Sequence, residues 1–199
     1  NVRLEATFEN GATVLGESHI FYCKKEQDCR IRSVRLLPEH PKALDAAVEA
    51  ILDADMIVLA PGSLYTSIIP NLLVDGIVSA IRDSDALKLY VCNVMTQEGE
   101  TEGYTAADHI QALFRHSCPE LFRLCLVNSM PIPEAIARRY AREGAEPIHC
   151  DEERCRALGV ELIRRPVASL ENGLVRHNPG HLAHELMTLY EEYAQKDST

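Results

Sequence analysis

A strand, a tight turn and a helix follow one another between Asp55 and Asp83, and this succession constrains the fold more than any other part of the sequence. Residues 56–60 form an apolar run rich in β-forming side chains, which stops at Pro61-Gly62-Ser63. An amphipathic helical pattern then continues to Asp83. In open α/β sheets, ligands sit in the crevice outside the carboxyl end of such a strand. The turn therefore indicates a binding site as well as a βα unit.

The residues of this turn suit an anionic ligand. Gly62 lets the backbone approach a ligand closely, and the hydroxyl groups of Ser63 and Thr66 flank Tyr65 at the start of the helix. Free N–H groups and the helix dipole at such a position favour a phosphate. The alternative is an ordinary capped βα turn, which is common in α/β domains. The turn is not a Walker A loop, because no Gly-Lys-Ser/Thr follows it.

Apolar strands alternate with longer helical segments along the chain, which predicts parallel βαβ units in a mostly parallel, three-layer αβα, Rossmann-like sheet. Asn10-Gly11, between two β-rich runs, predicts an N-terminal β-hairpin. The predicted strands are 4–8, 13–20, 31–37, 56–60, 88–93, 121–127, 147–149, 160–163 and 174–175. The predicted helices are 41–54, 66–83, 104–117, 133–143, 151–158 and 180–194. We expect one α/β domain over residues 1–199, with a frayed tail at 195–199.

A second polar junction between a strand and a helix runs from Asn93 to Thr105, at the end of the predicted strand 88–93. Within it, Asn93, Thr96 and Gln97 can hydrogen-bond a polar ligand, and Glu100 can hold a cation or a sugar hydroxyl. The alternative is a solvated loop whose Thr105 and Asp108 cap the next helix. The length and polarity of the loop favour a cleft shared with the Pro61-Gly62-Ser63 turn.

Tyr140 and Arg176 are further candidates in the last third of the chain. An arginine is suited to bidentate phosphate contacts, and a tyrosine ring can stack on a base. Each also has an ordinary interpretation, as a surface cation and a half-buried aromatic. The spacing of these residues alone does not decide between the ligand-binding and the ordinary interpretation.

Charge and cysteine usage exclude several classes of protein. The net charge of −10, with a pI of about 5.3, argues against nucleic-acid binding. No apolar stretch approaches the roughly 20 residues of a membrane span. The seven scattered cysteines, with no secretory leader ahead of them, predict reduced thiols in a cytoplasm. Asn1 is not an initiator methionine, so we expect a piece of a longer protein or a processed product.

The histidines and cysteines do not predict a metal site. His149, Cys150 and Cys155, and separately His177, His181 and His184, lie near one another but lack the paired Cys-x-x-Cys spacing of structural zinc. No Ser-His-Asp or Cys-His nucleophile arrangement can be justified from the order of residues alone. We therefore assign neither a metal ligand nor a catalytic residue.

Several segments taken together resemble the bacterial gluconeogenesis factor family, within the CofD-like (2-phospho-L-lactate transferase-like) superfamily. The segments that carry the resemblance are Ala60-Pro-Gly-Ser-Leu-Tyr-Thr-Ser-Ile-Ile-Pro-Asn-Leu-Leu-Val74, Val91-Cys-Asn-Val-Met-Thr-Gln97, Gly99-Glu-Thr-Glu-Gly-Tyr-Thr105, Asp108-His109, Tyr140, Ala145-Glu-Pro147 and Val175-Arg-His-Asn178. The resemblance covers nearly the whole chain but only the C-terminal two-thirds of the family. The family's Gly-Gly-Gly-Thr-Gly and Ala-Asp-Asp-Gly-Gly segments, which belong to its nucleotide site, have no counterpart in this sequence.

The resemblance implies a cytoplasmic, UDP-N-acetylglucosamine-binding regulatory protein that supports cell-wall synthesis and cell shape during growth on gluconeogenic carbon. It also implies that Tyr140 and Arg176 occupy positions tied to UDP-sugar binding, with the turn at Gly62 and the loop from Asn93 to Glu100 lining the same cleft. No catalysed reaction follows for this family.

Two alternatives stay open. The transferase branch of the superfamily moves a phospholactyl group from a nucleotide donor to a deazaflavin with magnesium, although its loop opens with Ser-Pro where this chain has Asn93-Val94. The other alternative is a structural remnant that folds by pairing with a second copy. Cell-wall synthesis proteins and a homo-oligomer are the partners that we expect.

Overall fold

Nine strands and eight α-helices form within residues 2–196, the part of the chain that this computed structural model describes. The strands are β1 (Arg3–Phe8), β2 (Thr13–Leu15), β3 (Ile31–Leu37), β4 (Met56–Leu59), β5 (Leu87–Val91), β6 (Leu124–Asn128), β7 (Glu161–Arg165), β8 (Ala168–Glu171) and β9 (Leu174–His177). The helices are α1 (Glu17–Gln27), α2 (Asp45–Leu52), α3 (Ile69–Leu72), α4 (Ile77–Asp83), α5 (Ala106–Arg115), α6 (Glu134–Ala141), α7 (Glu152–Ala157) and α8 (Pro179–Lys196). A π-helical turn, Leu64–Ile68, leads into α3.

The central sheet is parallel, with the order β4-β5-β6-β7. Successive side chains of a strand point to opposite faces, so β5 contributes to two separate cores. Leu89 and Val91 pack with Leu189 of α8 on one face, whereas Tyr90 packs on the other face into the larger core that includes Ile110 of α5. Helices therefore cover both faces, and the predicted α/β fold with a parallel sheet is confirmed.

The N-terminal strands form a separate antiparallel sheet, with the order β2-β1-β3. The predicted hairpin is present, with Glu5 paired to Leu15, but the predicted strand 13–20 is wrong beyond Leu15. Gly16, at a φ of +103°, ends the strand, and α1 begins at Glu17. The sequence of α1 has no apolar stripe of helical period, which is why the pattern did not predict a helix.

The helix predicted over 66–83 is interrupted. Gly76 adopts a left-handed φ of +99°, and the residue before it, Asp75, forms a bridge with Lys42. The backbone of Asp75 accepts from Ala43 N–H and donates to the Pro41 carbonyl, at 2.9 Å each. These long-range bonds replace the helical ones that a continuous helix would make. The same bridge delays the start of α2 from residue 41 to Asp45.

The last third of the chain adds a strand that the sequence pattern did not predict. β8 and β9 form an antiparallel hairpin across Asn172-Gly173, both at positive φ, as a tight hairpin turn requires. The strand predicted at 147–149 is reduced to a single bridge between Met95 and Pro147. Of the tail predicted at 195–199, residues 195 and 196 belong to α8, and residues 197–199 lie outside the described part. Within that part, the helices all lack the length and apolar character that crossing a membrane would need.

Candidate functional site

The turn after β4, the loop after β5 and the β8–β9 hairpin border one cleft of about 600 Å³. Because β4 and β5 are parallel neighbours, both loops leave the same edge of the sheet. Most of the residues predicted to bind a ligand line this cleft: Gly62, Ser63, Asn93, Thr96, Gln97, Tyr140 and Arg176. Three distant segments of the chain therefore meet at one opening.

Hydrogen bonds join the two loops directly. Asn93 Nδ2 donates to the Gly62 carbonyl oxygen at 2.8 Å, and Gly62 N–H donates to Asn93 Oδ1 at 3.2 Å. Ser63 Oγ donates to Gln97 Oε1 at 2.8 Å. Thr96 ties the loop to the chain after α6, since its N–H donates to the Glu146 carbonyl oxygen at 2.8 Å and its Oγ1 accepts from Glu146 N–H at 2.9 Å. These contacts establish that the two loops form a single wall.

Tyr65, Thr66 and Glu100 do not line the cleft, which corrects the sequence-based placement of these three side chains. Tyr65 is fully buried, and its hydroxyl bonds the Tyr104 hydroxyl at 2.8 Å. Glu100 is also buried, at 2% exposure, and accepts from Tyr65 N–H at 3.1 Å and from Thr66 Oγ1 at 2.6 Å. The protein's own carboxyl group therefore accepts from an N–H at the helix start, where the sequence predicts free N–H groups for a phosphate.

Burial sets the electrostatics of Glu100. Desolvation raises the pKa of its carboxyl group, although the two hydrogen bonds from Thr66 and Tyr65 oppose that rise. An ionised carboxylate at the start of a helical turn is favoured by the dipole and the free N–H groups there. Glu100 thus acts as a structural cap beneath the cleft rather than as a surface ligand.

Tyr140 and Arg176 are joined through the backbone of β9. The Tyr140 hydroxyl accepts from Val175 N–H at 2.9 Å, one residue before Arg176. The Arg139 guanidinium lies 5.5 Å from the centre of the Tyr140 ring and donates to the Gly173 carbonyl oxygen in the hairpin turn. Two residues of α6 therefore hold the hairpin that carries Arg176.

Arg176 is exposed at the cleft, and within residues 2–196 the structure gives it no ion pair. An unpaired guanidinium at a cleft wall presents five donors in a fixed fork to an incoming anion. The same cleft is lined by Glu98 and Glu143, so its charge is mixed.

His177 and Phe21 also line the cleft, and the sequence patterns did not predict either of them as a site residue. Burial lowers the pKa of His177, so its imidazole is neutral at pH 7, and Nε2 has no hydrogen-bond partner in the described part of the chain. His177 could have been predicted from its position next to the candidate residue Arg176. Phe21 could not be found, because the sequence pattern did not predict α1.

Two further features concern helix capping and metal binding. Thr105 and Asp108 form a reciprocal capping box at the start of α5, with bonds of 3.0 and 3.3 Å. Between residues 2 and 196, no group of three or more His, Cys, Asp or Glu side chains is arranged to hold a metal ion.

Comparisons of the sequence with known proteins identify relatives of this chain. The family model described as 2-phospho-L-lactate transferase CofD matches residues 1–168. The gluconeogenesis factor of Halalkalibacterium halodurans is 43% identical over 187 residues, which cover 94% of this chain and 57% of that protein. The gluconeogenesis factor of Bacillus subtilis is 43% identical over 192 residues, which cover 96% of this chain and 59% of that protein.

A solved structure extends the similarity to three dimensions. The crystal structure of a Bacillus halodurans protein superposes with a TM-score of 0.88 at 42% identity, covering 94% of this chain and 59% of that chain. The present chain therefore spans less than three-fifths of the length of these relatives.

Proposed function

Because this chain belongs to the CofD family and is similar to bacterial gluconeogenesis factors, we propose that it binds a nucleotide sugar, UDP-N-acetylglucosamine, as a regulatory protein. In this proposal the ligand reports on carbon metabolism and changes how the protein interacts with cell-wall synthesis proteins in the cytoplasm, with consequences for cell shape. The protein acts as a homo-oligomer. Binding, rather than turnover, is the activity proposed.

The observation that carries the proposal is the cleft at the carboxyl edge of the parallel sheet. Its volume of about 600 Å³ lies within the range of small-molecule sites, which is roughly 300–1,000 Å³. The wall combines amide and hydroxyl groups from Asn93, Gln97 and Ser63 with an aromatic ring and an unpaired guanidinium. A nucleotide sugar needs this combination of contacts for its base, hydroxyl groups and diphosphate.

Arg176 is proposed to contact the diphosphate, because an acidic protein that binds an anion needs a permanently charged donor in the cleft. Tyr140 is proposed to contact the uracil, either by stacking on it or with the edge of the ring. Its ring already has Arg139 near one face and its hydroxyl bonded to Val175 N–H, so the contact with the base uses the remaining face or the ring edge.

Calorimetric titration with UDP-N-acetylglucosamine tests this assignment. A charge-assisted hydrogen bond contributes about 1.5–3 kcal/mol, so Arg176→Ala should weaken binding by roughly tenfold to a hundredfold or more. The difference in affinity between the parent and Arg176→Ala should shrink as ionic strength rises, because screening weakens an exposed charge contact. Arg123→Ala is the matched control, since Arg123 is an exposed arginine before β6, at the opposite end of the strands. Equal affinities for the parent and Arg176→Ala would remove Arg176 from the site.

A magnesium-dependent transferase of phosphorus-containing groups is the second candidate function, and the match to the 2-phospho-L-lactate transferase CofD family favours it. The Asn93-Val94 start of the loop, in place of Ser-Pro, counts against it. Incubation with a nucleotide-activated phospholactate, a deazaflavin acceptor and magnesium separates the two candidates. Product formation above a protein-free control would favour the transferase.

A further inference from the structure

A second, smaller chamber of about 400 Å³ adjoins the cleft. The two share Asn93 and Val94, and the chamber extends beyond the carboxyl ends of β6 and β7 to His149 and Arg164. The carboxyl edge of a parallel sheet is the place where α/β proteins bind ligands, so the chamber occupies a position suited to binding. The proposed nucleotide-sugar site does not use it.

The charge of this chamber differs from that of the main cleft. Its described lining includes the cation Arg164 and the imidazole of His149 but no carboxylate, whereas Glu98 and Glu143 line the main cleft. Burial raises the pKa of the Cys150 thiol in the chamber wall, so that group stays protonated and brings no negative charge. The chamber is therefore the more favourable of the two surroundings for a second anion.

The amide side chains in the chamber wall take part in hydrogen bonds within the protein. Asn93 makes both of its hydrogen bonds to Gly62. Asn128 Nδ2 donates to the Met130 carbonyl oxygen at 2.8 Å, and its Oδ1 accepts from Met130 N–H and Ala168 N–H at 3.1 Å each. Arg164 is the charged group in the described lining of the chamber, so it supplies the charge-assisted contact that the chamber can offer to an anion.

Arg164 forms an ion pair with Glu152, whose carboxylate a ligand can replace. Its Nε and Nη2 atoms lie 3.0 and 2.9 Å from the same oxygen, Oε1 of Glu152. Both side chains are about half exposed, at 46% and 51%, and ion pairs of that kind contribute little to stability. A phosphate in the chamber offers the guanidinium two oxygens at once, which Glu152 Oε1 alone does not.

We propose that this chamber, hereafter the side chamber, binds the phosphate group of a small molecule through Arg164, with Glu152 as a competing internal anion. The site is separate from the proposed contact between Arg176 and a diphosphate. The phosphate belongs to a second small molecule, because the only phosphates of UDP-N-acetylglucosamine are those of the diphosphate that the proposed function assigns to Arg176.

Calorimetric titration with inorganic pyrophosphate at low ionic strength tests the side chamber. The titration is carried out on the parent chain and on matched variants. Arg164→Gln should weaken binding at least tenfold, because the bidentate contact is lost. Glu152→Gln should tighten binding by up to about fivefold, because it removes the competing carboxylate. Arg123→Gln, which alters another exposed ion pair far from the chamber, should change nothing.

The comparison with Arg176→Ala keeps this test independent of the proposed nucleotide-sugar site. Pyrophosphate binding that is lost in Arg176→Ala and kept in Arg164→Gln would place the anion in the main cleft and overturn the proposal, as would the absence of saturable binding by the parent. Repeating the titration with UDP-N-acetylglucosamine present identifies the source of the phosphate. Additive binding of the two probes supports a separate site for a second molecule, whereas competition that depends on Arg164 would place the diphosphate of the nucleotide sugar in the side chamber and overturn the separation from Arg176.

Discussion

Replacing Asn93 by alanine should loosen the wall of the cleft, because one amide side chain joins the two loops. Its two hydrogen bonds, of 2.8 and 3.2 Å, close a ring with the carbonyl oxygen and N–H of Gly62, which lies 31 residues earlier in the chain. Asn93→Ala removes both bonds and leaves both backbone groups of Gly62 without a protein partner. Water can reach them from the cleft, which limits the cost.

The magnitude follows from the number of bonds. A typical intramolecular hydrogen bond contributes about 0.5–1.5 kcal/mol, so two bonds predict a loss of about 1–3 kcal/mol in the free energy of unfolding. For a chain of this size each kcal/mol lowers the melting temperature by about 2–4 °C, which predicts a decrease of about 2–12 °C. Asn93→Asp should be no better than alanine, because a carboxylate oxygen would then face the Gly62 carbonyl oxygen at the position of the present 2.8 Å bond.

Urea unfolding followed by far-ultraviolet circular dichroism measures this loss. Asn71→Ala is the control, since its amide makes a single exposed bond of 2.6 Å to the Ser67 carbonyl within the same helical segment. That variant should change the free energy of unfolding by no more than about 0.5 kcal/mol. A loss below about 0.5 kcal/mol in Asn93→Ala would show that the two loops are held together by other contacts, and would refute the argument.

Three further predictions concern stability. Gly99→Ala should destabilise the fold by more than about 1 kcal/mol in urea unfolding, because Gly99 has a φ of +81° and the Phe21 ring fills the space of a Cβ; an unchanged midpoint would contradict that packing. Leu189→Ala should cost about 2–5 kcal/mol in the same assay, since this fully buried side chain of α8 packs on the sheet; a loss under about 1 kcal/mol would mean that α8 contributes little to the core. His116 Nε2 accepts from Val34 N–H at 3.1 Å, and burial lowers its pKa. Because the unfolded chain binds that proton near pH 6.5, the stabilisation by His116 is complete above that pH and is lost as the pH falls towards the folded pKa. The stability difference between the parent and His116→Phe should therefore shrink from about pH 7.5 to about pH 5.5, and a constant difference would contradict this role.

Local sequence patterns were sufficient for the two strand-to-helix units whose loops border the cleft. The apolar run of β4 followed by Pro61-Gly62-Ser63 predicted a strand and a sharp turn, and the structure has both. Thr105 and Asp108, which the alternative interpretation of the loop placed at the helix start, form the capping box of α5. In each case the signal lies within a few residues, where backbone preference, turn chemistry and capping act.

Contacts between distant segments determined the rest, because no local preference encodes them. The turn predicted free N–H groups for an anion at the helix start, but only the tertiary structure brings Glu100 to the Tyr65 N–H from 35 residues away. The helical pattern over 66–83 was locally sound, and the bridge between Asp75 and Lys42 overrides it. Composition and spacing determined the parallel α/β sheet and the edge at which its polar loops leave. Which side chains face the cleft, and which are buried beneath it, depended on hydrogen bonds and packing that form only when the whole chain folds.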